Sequence, residues 1–153
     1  MHPGFPDFGQ PPRAWTVSRA GAALRLVPPG AYPDRSRASM FVSPLVPVSP
    51  AMPVVETILR QALGAEVAQT GLAVESESPI SEVSAGDLLG SRLEVAVRHP
   101  GAQLLQRRIY TMFRDASWLY GIHFVADEEV FDFFLPEYEA MSGSIRLVPA
   151  PAT

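Results

Sequence analysis

"LLQRRIYTMFRDASWLYGIHFV" (residues 104–125) decides the fold, because it predicts two neighbouring β-strands that are apolar on both faces. The strands are residues 104–113 and 118–125, and the turn "RDAS" joins them. Ile109 and Tyr110 point to opposite faces, since successive side chains of a strand alternate. Strands of this kind belong to a sheet that is covered on both sides. We therefore predict a sheet between two layers of helix.

Segments earlier in the chain predict further strands. Leu93, Val95 and Val97 alternate with polar residues, and the turn "HPGAQ" links them to the next strand. Gly21 predicts a turn or bulge inside the first strand. Short links between successive strands imply antiparallel pairing. The strands predicted before residue 104 are residues 15–27, 38–46, 72–80 and 91–99.

Two amphipathic segments predict the helices. In residues 53–63 the apolar side chains recur at helical spacing, Pro53 fits the first turn, and Gly64 is predicted to end the helix. Residues 127–141 begin with three carboxylates, which helix N-termini favour. Pro136 is predicted to divide this second segment into two short helical pieces, because proline removes a backbone hydrogen bond.

These elements predict an α+β fold, an antiparallel sheet of about five to six strands sandwiched by helices. A chain of 153 residues is long enough to bury one core. We predict a single domain over residues 14–148, a flexible proline-rich arm at residues 1–13, and a tail at residues 149–153.

Composition excludes several classes of function. The net charge is −4 and the pI is near 5.3, so nucleic acid is not expected as a partner. There is no cysteine, and hence no disulfide and no thiolate chemistry. The chain contains neither a secretory signal pattern nor an apolar run long enough to span a bilayer. We expect a cytoplasmic protein without membrane insertion.

Candidate catalytic residues are sparse. The chain has no HExxH or GxSxG motif and, without lysine, no phosphate-binding loop of the Walker type. His123 is interpreted as a partly buried, hydrogen-bonded strand residue, and Glu75 with Glu77 as a solvated strand face. Residues 127–129 are interpreted as helix-capping charges, with a divalent-cation site as the alternative. We expect no enzyme and no catalytic, cofactor-binding or metal-binding residue.

Partner-binding candidates lie in the proline-rich segments and on the sheet. Aromatic residues in such segments can dock into a partner, and loops often carry binding residues. The strand arginines form either a basic strip that grips an acidic partner or cross-strand ion pairs with Glu94. The candidates are Phe5, Phe8, Tyr32, Arg92, Arg98 and Arg108.

Residues 107–147 resemble the end of the PsbP-like superfamily, which includes the DcrB-type domains and the Ran-binding Mog proteins. The resemblance rests on a basic and aromatic strand, an aromatic strand, a helix with a Leu-Pro step, and a final Ser-Ile-Arg-Leu. The positions concerned are Arg108, Tyr110, Leu119, Tyr120, Ile122, Phe124, Ala126, Phe131, Leu135, Pro136, Tyr138, Met141, Ser144, Ile145, Arg146 and Leu147.

The resemblance implies a non-enzymatic binding module that needs no cofactor. Some proteins of this kind are adaptor chaperones for secretion effectors, in which a dimeric domain shields apolar helices of its client. We therefore predict a binding or adaptor protein that acts through a protein interface, with a homodimer as a further expectation. A small-ligand-binding domain and a structural component of a larger bacterial assembly stay open as alternatives.

Overall fold

A computed structural model shows an antiparallel sheet with one helix against each face. Predictions for residues 1–13, for the tail, and for Tyr32, Pro53 and Leu104 lie outside the described residues. The structure describes residues 15–21, 23–28, 37–43, 46–52, 54–85, 88–100, 105–114 and 117–144.

Nine strands and two helices occur in these residues. The strands are β1 (Thr16–Ala20), β2 (Ala23–Val27), β3 (Ala38–Val42), β4 (Val46–Pro47), β5 (Ala73–Glu77), β6 (Ser81–Ala85), β7 (Leu88–Arg98), β8 (Leu105–Arg114) and β9 (Trp118–Asp127). The helices are α1 (Val55–Thr70) and α2 (Glu128–Ser144).

The strand order brings together segments that are far apart in the chain. The order is β1-β2-β3-β9-β8-β7-β5, with β4 also paired to β9 and β6 also paired to β7. Every pairing is antiparallel. The long strands β7, β8 and β9 therefore form the centre of the sheet, and β3 lies directly beside β9.

The sheet is apolar on both faces, as the sequence predicts. Ile109 and Phe113 of β8 belong to the core under α2, with Phe124, Phe131 and other aromatic residues. Tyr110 lies in a second, smaller core, where Leu59 and Leu63 of α1 pack on β7 and β8. In the part of the chain that is described, neither helix is long and apolar enough to cross a membrane.

The count of five to six strands is wrong. Residues 15–27 form a hairpin whose turn lies at Gly21, with φ at 61°, in the left-handed region that glycine adopts readily. β4 has only two residues, too few for a pattern. β6, "SEVSA", carries a single large apolar residue, Val83, so no alternation identifies it.

Both predicted helix ends need correction. Gly64 lies inside α1, which ends at Gly71, where φ is 71° and the N–H donates to the carbonyl of Val67. α2 is one helix that continues through Pro136, not two pieces. Asp127 is the last residue of β9 and not part of the first helical turn. Packing of a long apolar face on the sheet outweighs the local helix breakers.

Candidate functional site

A row of side chains crosses the face of the sheet on the α1 side. Arg25 of β2 is paired with Phe41 of β3, and Phe41 is paired with His123 of β9. His123 is in turn paired with Tyr110 of β8. Directly paired residues lie on the same face of a sheet. The row therefore joins a cation, a phenyl ring, an imidazole and a phenol over four neighbouring strands.

The two faces of these strands differ in burial. On the α2 side, the side chains of β3 and β9 that alternate with the row are 0% exposed: Met40, Val42, Ile122 and Phe124. On the α1 side, the helix packs on β7 and β8, and four large side chains of β2, β3 and β9 stay half-buried. We call these four residues the open face: Arg25, Phe41, His123 and Val125.

At one end of the open face, the neighbouring side chains of β2 and β3 are buried. Ser39 and Val27 lie one step along β3 and β2 from Phe41 and Arg25, and their exposed fractions are only 5% and 0%. Val125 of β9 is paired with Ser39, but its own side chain stays half-buried. Side chains can therefore approach the face over Arg25, Phe41, His123 and Val125, but not over Val27. The accessible part is a shallow apolar strip with one charged end.

His123 contributes an aromatic surface without charge. Its ring centroid lies 5.1 Å from that of Tyr110. Its Nδ1 atom is buried and has no hydrogen-bond partner among the described residues, so the hydrogen bond predicted for this histidine is not made at Nδ1. The ring is half-buried, as expected. Burial lowers the pKa of His123 to about 4, although the negative charge of Glu66 acts in the opposite direction. The imidazole is therefore neutral at pH 7.

Beside the open face, a polar cluster attaches α1 to the sheet. Glu66 of α1 accepts hydrogen bonds from Arg108 Nη1 and, at 2.7 Å, from the Tyr110 hydroxyl. Burial opposes the charge of Glu66, but these two bonds and the charge of Arg108 hold its pKa below the usual value. Burial and the bond to Glu66 raise the pKa of Tyr110 to about 12. Both carboxylate oxygens of Glu66 are thus occupied within the protein.

The acidic run at residues 127–129 is held by an arginine. Arg37 donates to Asp127 Oδ2 at 3.1 Å and to Glu129 Oε2 at 2.6 Å. Glu128 and Glu129 lie in the first turn of α2, as the capping interpretation predicts. Among the described residues, no group of three or more His, Asp or Glu side chains is arranged to hold a metal ion.

The described residues around His123 do not form a nucleophilic triad. The Ser43 hydroxyl lies beside this part of β9 and accepts the N–H of Gly121 at 2.6 Å. A triad needs a carboxylate on the far nitrogen of the histidine, but Nδ1 has no partner and Glu66 is bonded to Arg108 and Tyr110. With a pKa of about 4, the imidazole is also a weak general base.

The predicted partner-binding arginines all lie in ion pairs. Arg92 bonds Glu139 of α2 at 2.9 Å and lies 3.7 Å from Glu94. Arg98 bonds Glu75 at 2.9 Å. Arg108 is 6% exposed and bonds Glu66 inside the cluster. Phe5, Phe8 and Tyr32 lie outside the described residues. A partner-binding role for these six residues stays a prediction.

The predicted face shared by Glu75 and Glu77 is interrupted. A register shift between Val74 and Ser76 breaks the alternation of β5. Glu75 pairs with Arg98 of β7, whereas Glu77 pairs with Arg60 of α1 at 2.5 Å. The two carboxylates therefore do not act as a pair.

Sequence reasoning missed the open face. The only local signal is that Arg25 is the one charged residue in β2, "ALRLV". The pairing of Phe41 with His123 depends on β3 lying beside β9, and no short-range pattern in the chain indicates that neighbourhood.

No protein-family model and no curated protein matches this sequence. Solved structures do match. Cyanobacterial PsbP (CyanoP) from Synechocystis sp. PCC 6803 aligns with a TM-score of 0.63 at 6% identity, over 90% of this chain and 84% of that one. The chain has the PsbP-like fold. The resemblance inferred from residues 107–147 is thereby confirmed at the level of the fold.

Two further proteins share this PsbP-like fold. LpqN of Mycobacterium tuberculosis, described as involved in cell envelope biogenesis, aligns with a TM-score of 0.65 at 13% identity, over 96% of this chain and 86% of LpqN. PA94 of Pseudomonas aeruginosa, a protein of unknown function described as a putative regulator, aligns with a TM-score of 0.51 at 16% identity. The match covers 94% of this chain and all of PA94.

Proposed function

We propose that this chain is a non-enzymatic binding protein, an adaptor that holds an apolar segment of a partner protein on the open face. The observation that carries the proposal is the difference between the two faces of β3 and β9. The α2 side is fully buried, whereas Phe41, His123 and Val125 on the α1 side stay half-buried beside α1. This strip of incompletely buried apolar side chains, beside a helix that packs on β7 and β8, supports a binding role for the open face.

Two further observations support a binding role over a catalytic one. The titratable groups next to the open face are engaged inside the protein or, in the case of His123, neutral at pH 7. The similar folds include a putative regulator and a protein involved in envelope biogenesis, and neither description is that of an enzyme. A client such as a secretion effector is one form of the proposed partner.

A peptide titration tests this function. The probe is a fluorescein-labelled helical peptide of Leu, Ala and Gln without charged residues, and the measurement is fluorescence anisotropy. Val125→Thr preserves shape and strand propensity but adds a hydroxyl, and Phe41→Thr removes apolar area. We expect each substitution to weaken binding about tenfold. This factor corresponds to losing roughly half of the free energy gained when an apolar side chain is fully buried.

Phe133→Ala is the matched control. Phe133 is 65% exposed on α2, at the opposite face, so its removal deletes a comparable apolar surface elsewhere. We expect this variant to bind the peptide as the unchanged protein does. Failure of the unchanged protein to bind the peptide, or loss of binding only in Phe133→Ala, would contradict the proposal.

A second copy of this chain is the competing occupant of the open face. Sedimentation velocity over a range of concentrations distinguishes it from a partner segment. We expect the sedimentation coefficient to be the same for the unchanged protein and for Val125→Thr. A dimer that Val125→Thr converts to monomer would instead assign the open face to self-association.

A small-ligand function is the second candidate, and a cavity favours it. The cavity has a volume of about 280 Å³ and lies between the end of α2 and strands β6, β7 and β8. Thr111 and Phe113 line it, together with both partners of the Arg92–Glu139 ion pair. A screen of small hydroxylated compounds by ligand-observed NMR, with Gly143→Leu to fill the cavity, tests this alternative.

A further inference from the structure

The guanidinium of Arg25 is held in a fixed position at the edge of the open face. Its Nε and Nη2 atoms donate to Ser39 Oγ at 3.2 Å and 3.0 Å. Its Cζ atom lies 5.8 Å from the centre of the Phe41 ring, within the range of a cation–π contact. The charged group is therefore positioned on an aromatic surface, which reduces the entropy lost when a further group binds it.

The charge of Arg25 is not neutralised by the described residues. Its partners among these residues are a hydroxyl and a phenyl ring, neither of which carries a charge. By contrast, Arg37, Arg92 and Arg108 each pair with a carboxylate. A half-buried arginine is stabilised further when a carboxylate completes its hydrogen bonds, because the planar guanidinium binds a carboxylate in a fork geometry.

The other groups near Arg25 supply no negative charge. His123 lies two strands away, at about 10 Å for strands spaced by about 4.8 Å, and it is neutral. Glu66 is the carboxylate on the far side of His123, and Arg108 and Tyr110 occupy both of its oxygens. The open face therefore combines an apolar strip with a single positive charge at one end.

We propose that the partner segment carries a carboxylate that pairs with Arg25 while its apolar side chains pack on Phe41, His123 and Val125. This inference rests on the proposed function and specifies the chemistry of the partner. The distance of about 10 Å from Arg25 to His123 places the carboxylate one to two helical turns from the apolar contacts, because a turn rises 5.4 Å. The partner is thus an apolar segment that carries an acidic residue, and an uncharged segment of the same shape binds the same face more weakly.

Three helical peptides test the inference. They have the same Leu, Ala and Gln sequence and differ at one position, seven residues (about two helical turns) from a Leu, where Glu, Gln or Lys is placed. We expect the unchanged protein to bind the Glu peptide about three- to tenfold more tightly than the Gln peptide, and the Lys peptide most weakly. The preference for Glu falls as salt is raised, because a half-exposed ion pair is screened.

Variants of Arg25 show whether this residue is the source of the preference. Arg25→Gln removes the preference for Glu over Gln while binding of the Gln peptide is unchanged, and Arg25→Glu reverses the order so that the Lys peptide binds best. Arg60→Gln changes the net charge equally, but Arg60 of α1 pairs with Glu77 of β5, away from the open face. We expect this control to keep the preference for Glu.

The outcomes separate the inference from the proposed function. If the unchanged protein binds the Glu and Gln peptides equally, the inference is wrong and the proposed function stands. If none of the three peptides binds, the proposed function fails as well. If Arg25→Gln weakens binding of the Glu and Gln peptides equally, Arg25 maintains the shape of the surface and does not recognise a carboxylate, which also overturns the inference.

Discussion

The imidazole of His123 lies over Gly121, two residues earlier in the same strand. A Cβ atom at position 121 would come within 3.1 Å of both Cε1 and Nε2 of the ring. Glycine at this buried position therefore makes room for the ring beside Tyr110. The open face depends on this contact, because displacement of the ring changes the surface between Phe41 and Val125.

Gly121→Ala is expected to lower the free energy of unfolding. The added methyl group has to displace the imidazole, and overpacking of this kind costs about 1–3 kcal/mol. Gly64→Ala is the matched control, since a Cβ there meets no atom within 4 Å and Gly64 lies inside α1. We expect the control to gain about 1 kcal/mol from helix propensity. Urea unfolding measures both, and a stabilised Gly121→Ala variant would contradict the packing described.

Removal of Arg108 is expected to destabilise the protein strongly. Arg108→Met leaves the Glu66 carboxylate and the Tyr110 hydroxyl without their cation. We expect a cost of about 3 kcal/mol, the lower end of the range for a buried pair, because Glu66 is partly exposed. The double variant Arg108→Met/Glu66→Gln is expected to lose less free energy of unfolding than the two single variants lose together, because no charge is left unpaired. Chemical unfolding of the unchanged protein, the two single variants and the double variant gives the coupling free energy between Arg108 and Glu66. Additive losses would show that the two side chains do not act together.

Stability is expected to fall as the pH is lowered from 6.5 to 4. The folded-state pKa of His123 is depressed to about 4 from the usual 6.5, so the unfolded chain binds a proton in this range that the folded chain does not. The free energy of unfolding therefore rises with pH across this window, by up to about 3 kcal/mol from this group. His123→Phe keeps an aromatic ring and removes the titration. The difference between the two pH profiles, measured by urea unfolding, tests the assignment, and identical profiles would refute it.

Pro136→Ala is expected to stabilise α2. Proline inside a helix removes one backbone hydrogen bond and crowds the preceding turn, and α2 continues through Pro136 from Glu128 to Ser144. The side chain of Pro136 is exposed, so alanine there costs little packing. We expect the free energy of unfolding to rise by about 1–3 kcal/mol. A lower melting temperature, measured by circular dichroism, would mean that the proline shapes a bend on which the packing of α2 depends.

Local pattern was sufficient to predict the central strands but not their arrangement. The alternation of Leu93, Val95 and Val97, and the two-sided apolar character of Ile109 and Tyr110, identified β7 and β8 and a covered sheet. The pairing of β3 with β9 joins distant segments, so the contact of Phe41 with His123 had no sequence signal. The helix ends were missed for a different reason: burial of Leu59, Leu63 and Tyr138 stabilises helices that Gly64 and Pro136 disfavour locally.

The central claim is that the α1 side of β2, β3 and β9 binds an apolar segment, and an NMR titration tests it most directly. Backbone amide shifts are followed while the uncharged Leu, Ala and Gln peptide is added to the 15N-labelled protein. We predict that the largest shift changes occur at Arg25, Phe41, His123 and Val125. Changes concentrated around Phe133 on α2, or around Ser142 at the cavity, with none in these strands, would contradict the claim.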